Sequence, residues 1–570
     1  MEQQNRDIEL TFKKSGHFWL DSGLIGLVKM LEEVKTDIQI SVSDDKLVLR
    51  GPRDNLQSSI KKAYSILVSN YYNLSTKKQE TDTSSYNFYY DTVQDKFIPF
   101  PKKKAVGIAS VVYNKAPRPS VSILKWKEKD WKKQKKEISV NGKKIQRTRP
   151  HLPDTHRTLQ ERMDDFLDKR GLDITTSGLL IDGPNQIRPK VTIKIGAGAS
   201  KGNCYLCGEP SNLLEDIKET VFPLITGSSG VLSFNSLGGK PEKVCWKCSL
   251  LGKFVPVNGF YLSQGENLFA FLPYSTSLEK MVDVFVPLHE AEYRDPNLFR
   301  NFDHPLGGYF QRSFEVTFAF LYTLYRKILL HQRSEQDDEN TVLDWEEMLH
   351  LTTSKAPLDF FVLHMESKGQ TTMGKMAWPF RDSVYFFRLM NEVEQTGIDV
   401  REVMRLYVDF TQTKNENKAL TRNRVCERIL KKQTILDLTE AHVFRAELTY
   451  FKPLLDFLII YESIVRKEDD MTKEEQETAV TLGKRVGMAV GGEGKKGDLY
   501  ALRKTRTKTD FLEQLNRLQF KLGSSFTVPP GVYEGKLTNE NFKEFKPFCM
   551  IPALNSFNAA QFKSQKGGQS

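Results

Sequence analysis

Two short sequences, Cys204-Tyr205-Leu206-Cys207 and Cys245-Trp246-Lys247-Cys248, decide how the middle of this chain folds. In a CxxC turn both sulfurs can point to one centre, and two such turns supply the four thiolates of a tetrahedral zinc site. The separation between the pairs, 208–244, is too long for a compact ribbon, so that segment must fold as an excursion. Because no His, Asp or Glu adds an open coordination position, we predict a structural zinc ion bound by Cys204, Cys207, Cys245 and Cys248.

Two alternatives to zinc are disulfide bonds and four unligated thiols. The N-terminal residues Met1–Asp7 are charged where a signal peptide would be apolar, which predicts a cytoplasmic protein. Disulfides are rare in that compartment, so zinc is favoured over both alternatives. The most apolar helix candidate, Ser313–Leu330, is interrupted by charged residues, and we therefore expect no membrane partner.

The positive charge of the chain is concentrated in residues 101–200. This segment has 23 Lys and Arg against 10 Asp and Glu, a net charge of +13, whereas the whole chain has +11. The rest of the chain therefore has a slight negative excess. Such a concentration is the electrostatic pattern expected of a protein that binds a phosphate backbone.

The candidate nucleic-acid-binding residues are the Lys and Arg that occur in runs. In the basic segment they are Lys102, Lys103, Lys104, Lys125, Lys127, Lys132, Lys133, Lys135, Lys136, Lys143, Lys144, Arg147 and Arg149, and a smaller patch nearer the C-terminus comprises Arg503, Lys504, Arg506 and Lys508. The alternatives are a solvated lysine-covered helix face for the first group and a solvated helix terminus for the second.

The hydrophobic pattern predicts an α+β fold with a mixed N-terminal α/β region, an inserted four-cysteine zinc-finger-like module and a C-terminal helical bundle. The predicted boundaries are 1–305 for the N-terminal region, with the module at about 200–255, 306–525 for the bundle and 526–570 for a C-terminal tail. Within these, we expect Asp21 to be the N-cap of the first helix, Leu358–Met365 and Glu440–Arg466 to be helices, and Gly491–Gly497 to be a flexible turn.

We find no catalytic motif in the sequence: neither HExxH nor GxSxG occurs, and no compact acidic cluster adjoins the basic segment. This favours a binding protein over an enzyme. The glycine-rich loop Gly196–Asn203 fits neither the P-loop pattern nor the dinucleotide-binding pattern. It is either a loop that approaches a DNA groove or the hinge into the zinc site, with Lys201 and Asn203 near its tip.

Three features together indicate a family. They are Phe18-Trp-Leu-Asp21-Ser-Gly23 near the N-terminus, the paired CxxC motifs, and Tyr500–Leu518 near the C-terminus. In this order and spacing the chain resembles the large subunit of the type I CRISPR Cascade surveillance complex, in the CxxC–CxxC group associated with subtype I-B.

That resemblance implies a non-catalytic protein of the prokaryotic cytoplasm. Its partners would be guide RNA (crRNA), target double-stranded DNA, the handle-binding, backbone and small subunits of Cascade, and a helicase-nuclease. The N-terminal region would recognise the short PAM beside the target and help to open the duplex, and the bundle, similar to the small subunit, would stabilise the R-loop.

Two further hypotheses concern individual residues. Lys201 and Asn203 are our candidates for PAM reading, because their side chains can contact minor-groove acceptors. In this family the small subunit can be an internal translation product, and we predict that translation of such a product starts at Met373.

The alternatives to a Cascade subunit are a stand-alone zinc-containing regulator or processing factor that binds DNA or RNA, and a nuclease with an unrecognised site.

Overall fold

The computed structural model divides the chain into two compact units, residues 1–302 with 344–381, and residues 303–343 with 382–570. The structure describes residues 7–34, 36–67, 86–91, 96–101, 123–124, 132–140, 143–151, 157–170, 179–182, 199–217, 222, 243–264, 266–283, 312–335, 358–368, 371–446, 448–466, 471–493 and 495–567. The first unit has mixed α/β structure and the second is helical.

The first unit begins with a three-stranded antiparallel sheet and two helices. These elements are β1 (Asp7–Lys13), α1 (Phe18–Val34), β2 (Gln39–Ser43), β3 (Lys46–Pro52) and α2 (Arg53–Leu67), with the strands in the order β1-β3-β2. In β3, Leu47 and Leu49 alternate with more exposed residues, because one face of the sheet covers the core. The mixed α/β character that the sequence predicts for this region is confirmed.

The remaining elements of the first unit are mostly short strands. They are β4 (Tyr86–Asp91), β5 (Lys96–Pro101), β6 (Ile123–Leu124), β7 (Lys132–Val140), β8 (Lys143–His151), α3 (Arg157–Arg170), β9 (Leu179–Asp182), β10 (Leu214–Asp216), β11 (Lys243–Cys245), α4 (Trp246–Phe254), a 3₁₀ turn (Val255–Asn258), β12 (Phe260–Gln264), β13 (Asn267–Tyr274), β14 (Asp359–Lys368) and β15 (Thr371–Phe380). They form four-stranded sheets in the orders β5-β4-β9-β6 and β12-β13-β14-β15, and the two-stranded pairs β7-β8 and β10-β11.

The helix predicted over Leu358–Met365 is wrong, because this segment lies in β14. Strand β14 pairs with β13 on one side and with β15 on the other, so it is an interior strand. Its run Phe360–Leu363 is continuously apolar, and in such a short run periodicity does not separate a strand from a buried helix. Backbone pairing with β13 and β15 makes this segment a strand.

Helices α1 and α4 make an unusually close backbone contact. A Cβ atom added to Gly23 would lie 2.3 Å from the carbonyl oxygen of Leu251, and one added to Gly26 would lie 2.1 Å from that of Phe254. Any larger side chain at these positions would push the two helices apart. The Gly23-x-x-Gly26 spacing thus lets α4 pack directly on α1.

The second unit is built from helices. They are α5 (Ser313–Glu335), α6 (Ser383–Gln395), α7 (Val400–Leu406), α8 (Asn415–Lys418), α9 (Leu420–Leu430), α10 (Leu436–Arg445), α11 (Lys452–Val465), α12 (Lys473–Glu493), α13 (Lys496–Arg503), α14 (Lys508–Leu522) and α15 (Phe542–Gly567), with a 3₁₀ turn (Gly523–Ser525) and a π turn (Val532–Lys536) before α15. The predicted helical character of the C-terminal region is confirmed.

Two local predictions in this unit are wrong. The single helix predicted over Glu440–Arg466 is two helices, α10 and α11, and Pro453 lies in the first turn of α11, a position that tolerates the missing N–H. The flexible turn predicted at Gly491–Gly497 begins inside α12, which continues to Glu493.

Helix α12 presents a stripe of glycines to α15. Cβ atoms added to Gly483 and Gly487 would lie 2.1 Å from the carbonyl oxygens of Cys549 and Ala553, respectively. The glycines at 483, 487 and 491 recur every four residues, so they share one face of α12. Gly491, which the sequence predicted to be part of a flexible turn, therefore takes part in a close helix–helix contact.

A buried ion pair links α5 to α9 within the same unit. The Arg422 Nε donates to Glu315 Oε2 at 3.0 Å, and the two side chains are only 1% and 0% exposed. Removing one partner of such a pair leaves a buried charge uncompensated and costs about 3–5 kcal/mol. Helix α5 is therefore an integral part of the second unit, although the hairpin of β14 and β15 separates it from α6 in sequence.

We predict that Gly487→Ala and Gly492→Ala will have opposite effects on stability. A methyl group at Gly487 would clash with the α15 backbone and should lower the free energy of unfolding by about 1–3 kcal/mol. Gly492 lies in the same helix, and among the described residues no other element comes within 4 Å of its added Cβ, so its alanine variant should be neutral or stabilising by up to ~1 kcal/mol. Thermal unfolding of the full chain measures both, and equal effects would contradict the close contact.

Candidate metal centre

The first cysteine pair lies in a tight turn closed by its own backbone. The N–H of Gly208 donates to the carbonyl of Cys204 at 2.9 Å, and the N–H of Cys204 donates to the carbonyl of Glu209 at 2.9 Å. Gly208 has φ +72°, a conformation that glycine adopts without strain. The chain therefore doubles back immediately after Cys207.

The second pair begins helix α4. Cys245 ends β11, which pairs with β10 in a register that sets Leu214 opposite Cys245. Cys245 is the N-cap of α4, and its Sγ accepts the N–H of Cys248 at 3.4 Å. The N–H of Tyr205 donates to Lys243 O at 3.0 Å, which joins the two halves of the site.

These elements bring the four sulfurs together. The Sγ atoms of Cys204, Cys207, Cys245 and Cys248 all lie within 4.8 Å of one another, and three of the four residues are buried. The Cys207 and Cys245 sulfurs are 3.9 Å apart. A tetrahedral site with zinc–sulfur bonds of about 2.3 Å sets its sulfurs about 3.8 Å apart. The arrangement fits a closed four-thiolate metal site.

Each of the four thiols is free, which disfavours the disulfide alternative. Hydrogen bonds from Cys207, Cys245 and Cys248 lower the pKa of Cys204, since three donors stabilise its thiolate. The contact with Cys204, followed by those with Cys207 and Cys245, raises the pKa of Cys248. The crowded sulfurs thus favour the thiolate form of some of these cysteines and disfavour it in others. A bound cation would favour all four thiolates.

The metal site lies beside the N-terminal sheet and helix. The Lys247 Nζ donates to the Thr11 carbonyl oxygen at 2.7 Å, and the Trp246 ring meets the Phe12 ring edge-on at 6.2 Å. The two residues between the cysteines therefore attach the start of α4 to β1. The CxxC spacing alone does not predict this role for Trp246 and Lys247, although an aromatic residue inside a CxxC turn is a usable signal.

The Phe18–Gly23 motif is part of the same core. The Phe18 ring stacks on Phe361 with centroids 3.7 Å apart, and Asp21 forms a buried ion pair with Lys14 at 3.1 Å. Asp21 is not the N-cap predicted from the sequence, because α1 begins at Phe18. Its carboxylate instead accepts the N–H of Ser15 at 2.9 Å and fixes the segment that enters the helix.

The predicted nucleic-acid-binding residues of the basic segment are described in part. The residues at 102–104, 125 and 127 lie outside the described part of the chain. Lys132, Lys133, Lys135 and Lys136 lie on β7, and Lys143, Lys144, Arg147 and Arg149 lie on β8. The two strands pair along their whole length, so these eight residues share one antiparallel hairpin. Their helical alternative is wrong for this stretch.

The predicted PAM-reading residues adjoin the metal site. Lys201 and Asn203 are both exposed, and they lie on a small hairpin closed by the bond from Lys201 N–H to Ser211 O at 2.9 Å. Met373, the predicted internal start, lies in β15 opposite Glu366.

The second basic patch surrounds the junction of α13 and α14. The Arg503 Nε donates to Glu440 Oε1 at 2.9 Å, and its guanidinium lies over the Phe444 ring at 4.4 Å. Arg503 is thus held by protein contacts, whereas Lys504 and Arg506 are exposed and Lys508 is half-buried.

Comparisons with protein-family models and with curated proteins find no match for this chain. In the part of the chain that the structure describes, no helix has both the length and the apolar character that a bilayer crossing requires.

We predict that the purified chain contains one metal ion and that Cys248→Ser removes it. The loss of one thiolate should reduce metal content to near zero and lower the unfolding temperature, because the ion fixes the start of α4. Cys426→Ala is the matched control, since Cys426 is a buried thiol of the second unit and lies outside the cluster. Elemental analysis gives the metal content. Equal metal content in the two variants would contradict this site.

Proposed function

We propose that this chain is the non-catalytic large subunit of a type I-B Cascade, an RNA-guided complex that recognises target DNA. The observation that carries the proposal is the net charge of +13 in residues 101–200, whose described part includes a hairpin with eight Lys and Arg. A segment of this charge suits binding to a nucleic-acid backbone. The Phe18–Gly23 motif and the paired CxxC motifs support the specific family.

In this proposal the four cysteines hold a structural zinc ion. Four thiolates without a free coordination position are the ligand set of structural zinc sites. The ion would fix α4 against β1 and α1, and would leave PAM recognition to exposed residues nearby such as Lys201 and Asn203. Duplex opening, R-loop stabilisation and recruitment of the helicase-nuclease would then use binding surfaces, and the bond-breaking chemistry would belong to that effector.

A second candidate function is a stand-alone zinc-containing regulator or processing factor. The same four-cysteine cluster and basic hairpin favour it, since both occur in proteins that bind DNA or RNA without a guide. The two functions differ in what accompanies the chain. A Cascade subunit requires guide RNA and protein partners, whereas a regulator binds its own site alone.

We predict that the chain, purified with the products of its neighbouring genes, contains RNA of uniform length. Guide RNAs are cut to a defined size, so a single sharp band on a denaturing gel is the expected result. Sequencing should return one constant flank with variable spacers. Absence of RNA together with site-specific DNA binding by the chain alone would favour the regulator, and metal-dependent DNA cleavage by the chain alone would favour a nuclease.

We also predict a short chain that starts at Met373, to be detected by intact-mass spectrometry of the same preparation. Met373→Leu should abolish it and Lys375→Arg, a nearby change that creates no new start, should not. Such a chain lacks α5 and hence Glu315, so it loses the buried ion pair between Glu315 and Arg422. We therefore expect the short chain only in complex with other subunits. A preparation without any chain beginning near this residue would refute the prediction.

A further inference from the structure

Two exposed aromatic rings lie side by side on the second unit. In the described part of the chain, the large apolar side chains that are exposed all belong to this unit. Phe520, on α14, is 90% exposed, and Tyr533, in the π turn, is 53% exposed. The Tyr533 hydroxyl donates to Asn516 Oδ1 at 2.6 Å, and Asn516 precedes Phe520 by four residues on the same face of α14. Phe520 and Tyr533 are here called the ring pair.

The helices that carry and adjoin the ring pair have an excess of positive charge. Residues 484–521 contain 10 Lys and Arg against 4 Asp and Glu, a net charge of +6. Eight of these ten cationic side chains are exposed. They lie on the second half of α12, on α13 and on α14 or in the connections between them, and α13 packs against both of the other helices. The excess is therefore gathered on three neighbouring helices.

An ion pair places the start of α13 beside the ring pair. The Lys521 Nζ lies 2.7 Å from Asp498 Oδ2, and Lys521 directly follows Phe520. Lys495 and Lys496 lie two and three residues before Asp498, so they are at the same end of α14 as Phe520. Both lysines are exposed, and neither forms an ion pair with a described residue.

Arg517 supplies a further cation on α14 itself. It lies three residues before Phe520, so the two side chains are neighbours on the helix surface. Its ion pair with Glu513 is 3.9 Å long, and the two side chains are 75% and 63% exposed. Such an exposed pair is weak, which leaves the guanidinium able to contact an anion.

Exposed rings among cations are typical of surfaces that bind single-stranded nucleic acid. Bases of any sequence stack on aromatic side chains, while lysine and arginine neutralise the phosphates that join them. A duplex presents only base edges in its grooves, so an exposed ring has no base face on which to stack. A protein partner matches this surface less well, because the centres of protein interfaces are depleted in lysine.

We propose that the ring pair and the cations around it bind single-stranded DNA, with bases stacked on Phe520 and Tyr533 and phosphates at Lys495, Lys496 and Arg517. The proposal deepens the proposed function, on which it rests, because opening of a target duplex supplies unpaired DNA. It adds base stacking to the phosphate contacts that the sequence predicts for the basic patch nearer the C-terminus.

Two double variants of the full chain test the proposal, because each removes two exposed aromatic rings from the same unit. F520A/Y533A removes the ring pair. F410A/Y450A is the matched control, since Phe410 and Tyr450 are 57% and 61% exposed but lie outside α12, α13, α14 and the π turn. Fluorescence anisotropy measures affinity as a function of salt for labelled oligo(dT), oligo(U) and a mixed-sequence DNA duplex.

F520A/Y533A should bind oligo(dT) roughly tenfold or more weakly, because it loses the stacking of two bases. Its salt slope should not change, since no phosphate contact is lost, and it should bind duplex DNA within about twofold of the unaltered chain. The control variant should bind each ligand as the unaltered chain does. K495Q/K496Q/R517Q should instead give a log–log salt slope for oligo(dT) less steep by about 2, since each phosphate contact of a single strand contributes about 0.7.

Photo-crosslinking locates the contact independently of any other basic surface of the chain. Oligo(dT) that contains 5-iododeoxyuridine should crosslink to a peptide with Phe520 or Tyr533. Tyr533→Phe keeps the ring and loses only the hydrogen bond to Asn516, so it should retain most of the affinity. Thermal unfolding identifies a double variant that fails to fold, in which case Phe520→Ala and Phe410→Ala replace the doubles.

Equal losses in the two double variants, no loss for oligo(dT), an equal loss for duplex DNA, or crosslinks confined to other peptides would overturn the proposal. A loss confined to oligo(U), or loss of a co-purifying protein in place of oligo(dT) binding, would also overturn it, in favour of RNA or of a protein partner. The RNA content of the native preparation is a separate readout. Uniform RNA with unchanged oligo(dT) binding would reject the ring pair and keep the Cascade proposal, whereas absent RNA with a selective loss would do the reverse.

Discussion

The close contact between α1 and α4 is the constraint on which the described core of the first unit depends. The absence of side chains at Gly23 and Gly26 lets the two backbones touch, and α4 begins at Cys245, one of the four clustered cysteines. Lys247 ties the same helix to β1. A metal ion at the cluster would therefore act on the core through the position of one helix.

The residues that hold the described core of this unit differ from those proposed to bind nucleic acid. The four cysteines are mostly buried and surrounded by packing contacts, and Phe18 and Asp21 of the N-terminal motif are likewise engaged in the core. The Lys and Arg residues proposed to bind nucleic acid lie elsewhere in the sequence, and eight of them lie on β7 and β8. If the proposed function holds, this separation would let the scaffold stay stable while the nucleic-acid-binding residues change.

Much of the architecture could be predicted from the sequence, because its signals are local. The spacing of Cys204, Cys207, Cys245 and Cys248 indicated a common site, and apolar periodicity indicated the helical C-terminal region. The failures arose where distant residues decide the structure. The apolar run in β14 became a strand through pairing with β13 and β15, and Gly491 serves a contact with α15 that no local pattern reveals.

The order of strands in the sheet β12-β13-β14-β15 has a consequence for synthesis on the ribosome. Strand β13 is almost wholly apolar, and its outer edge is covered by β14, which emerges only after residues 275–358 have been translated. Until then this edge of β13 is unpaired in the nascent polypeptide, and an unpaired apolar strand edge can pair with other chains. Chaperone binding during elongation, or fast translation that shortens this interval, would then determine the yield of correctly folded protein.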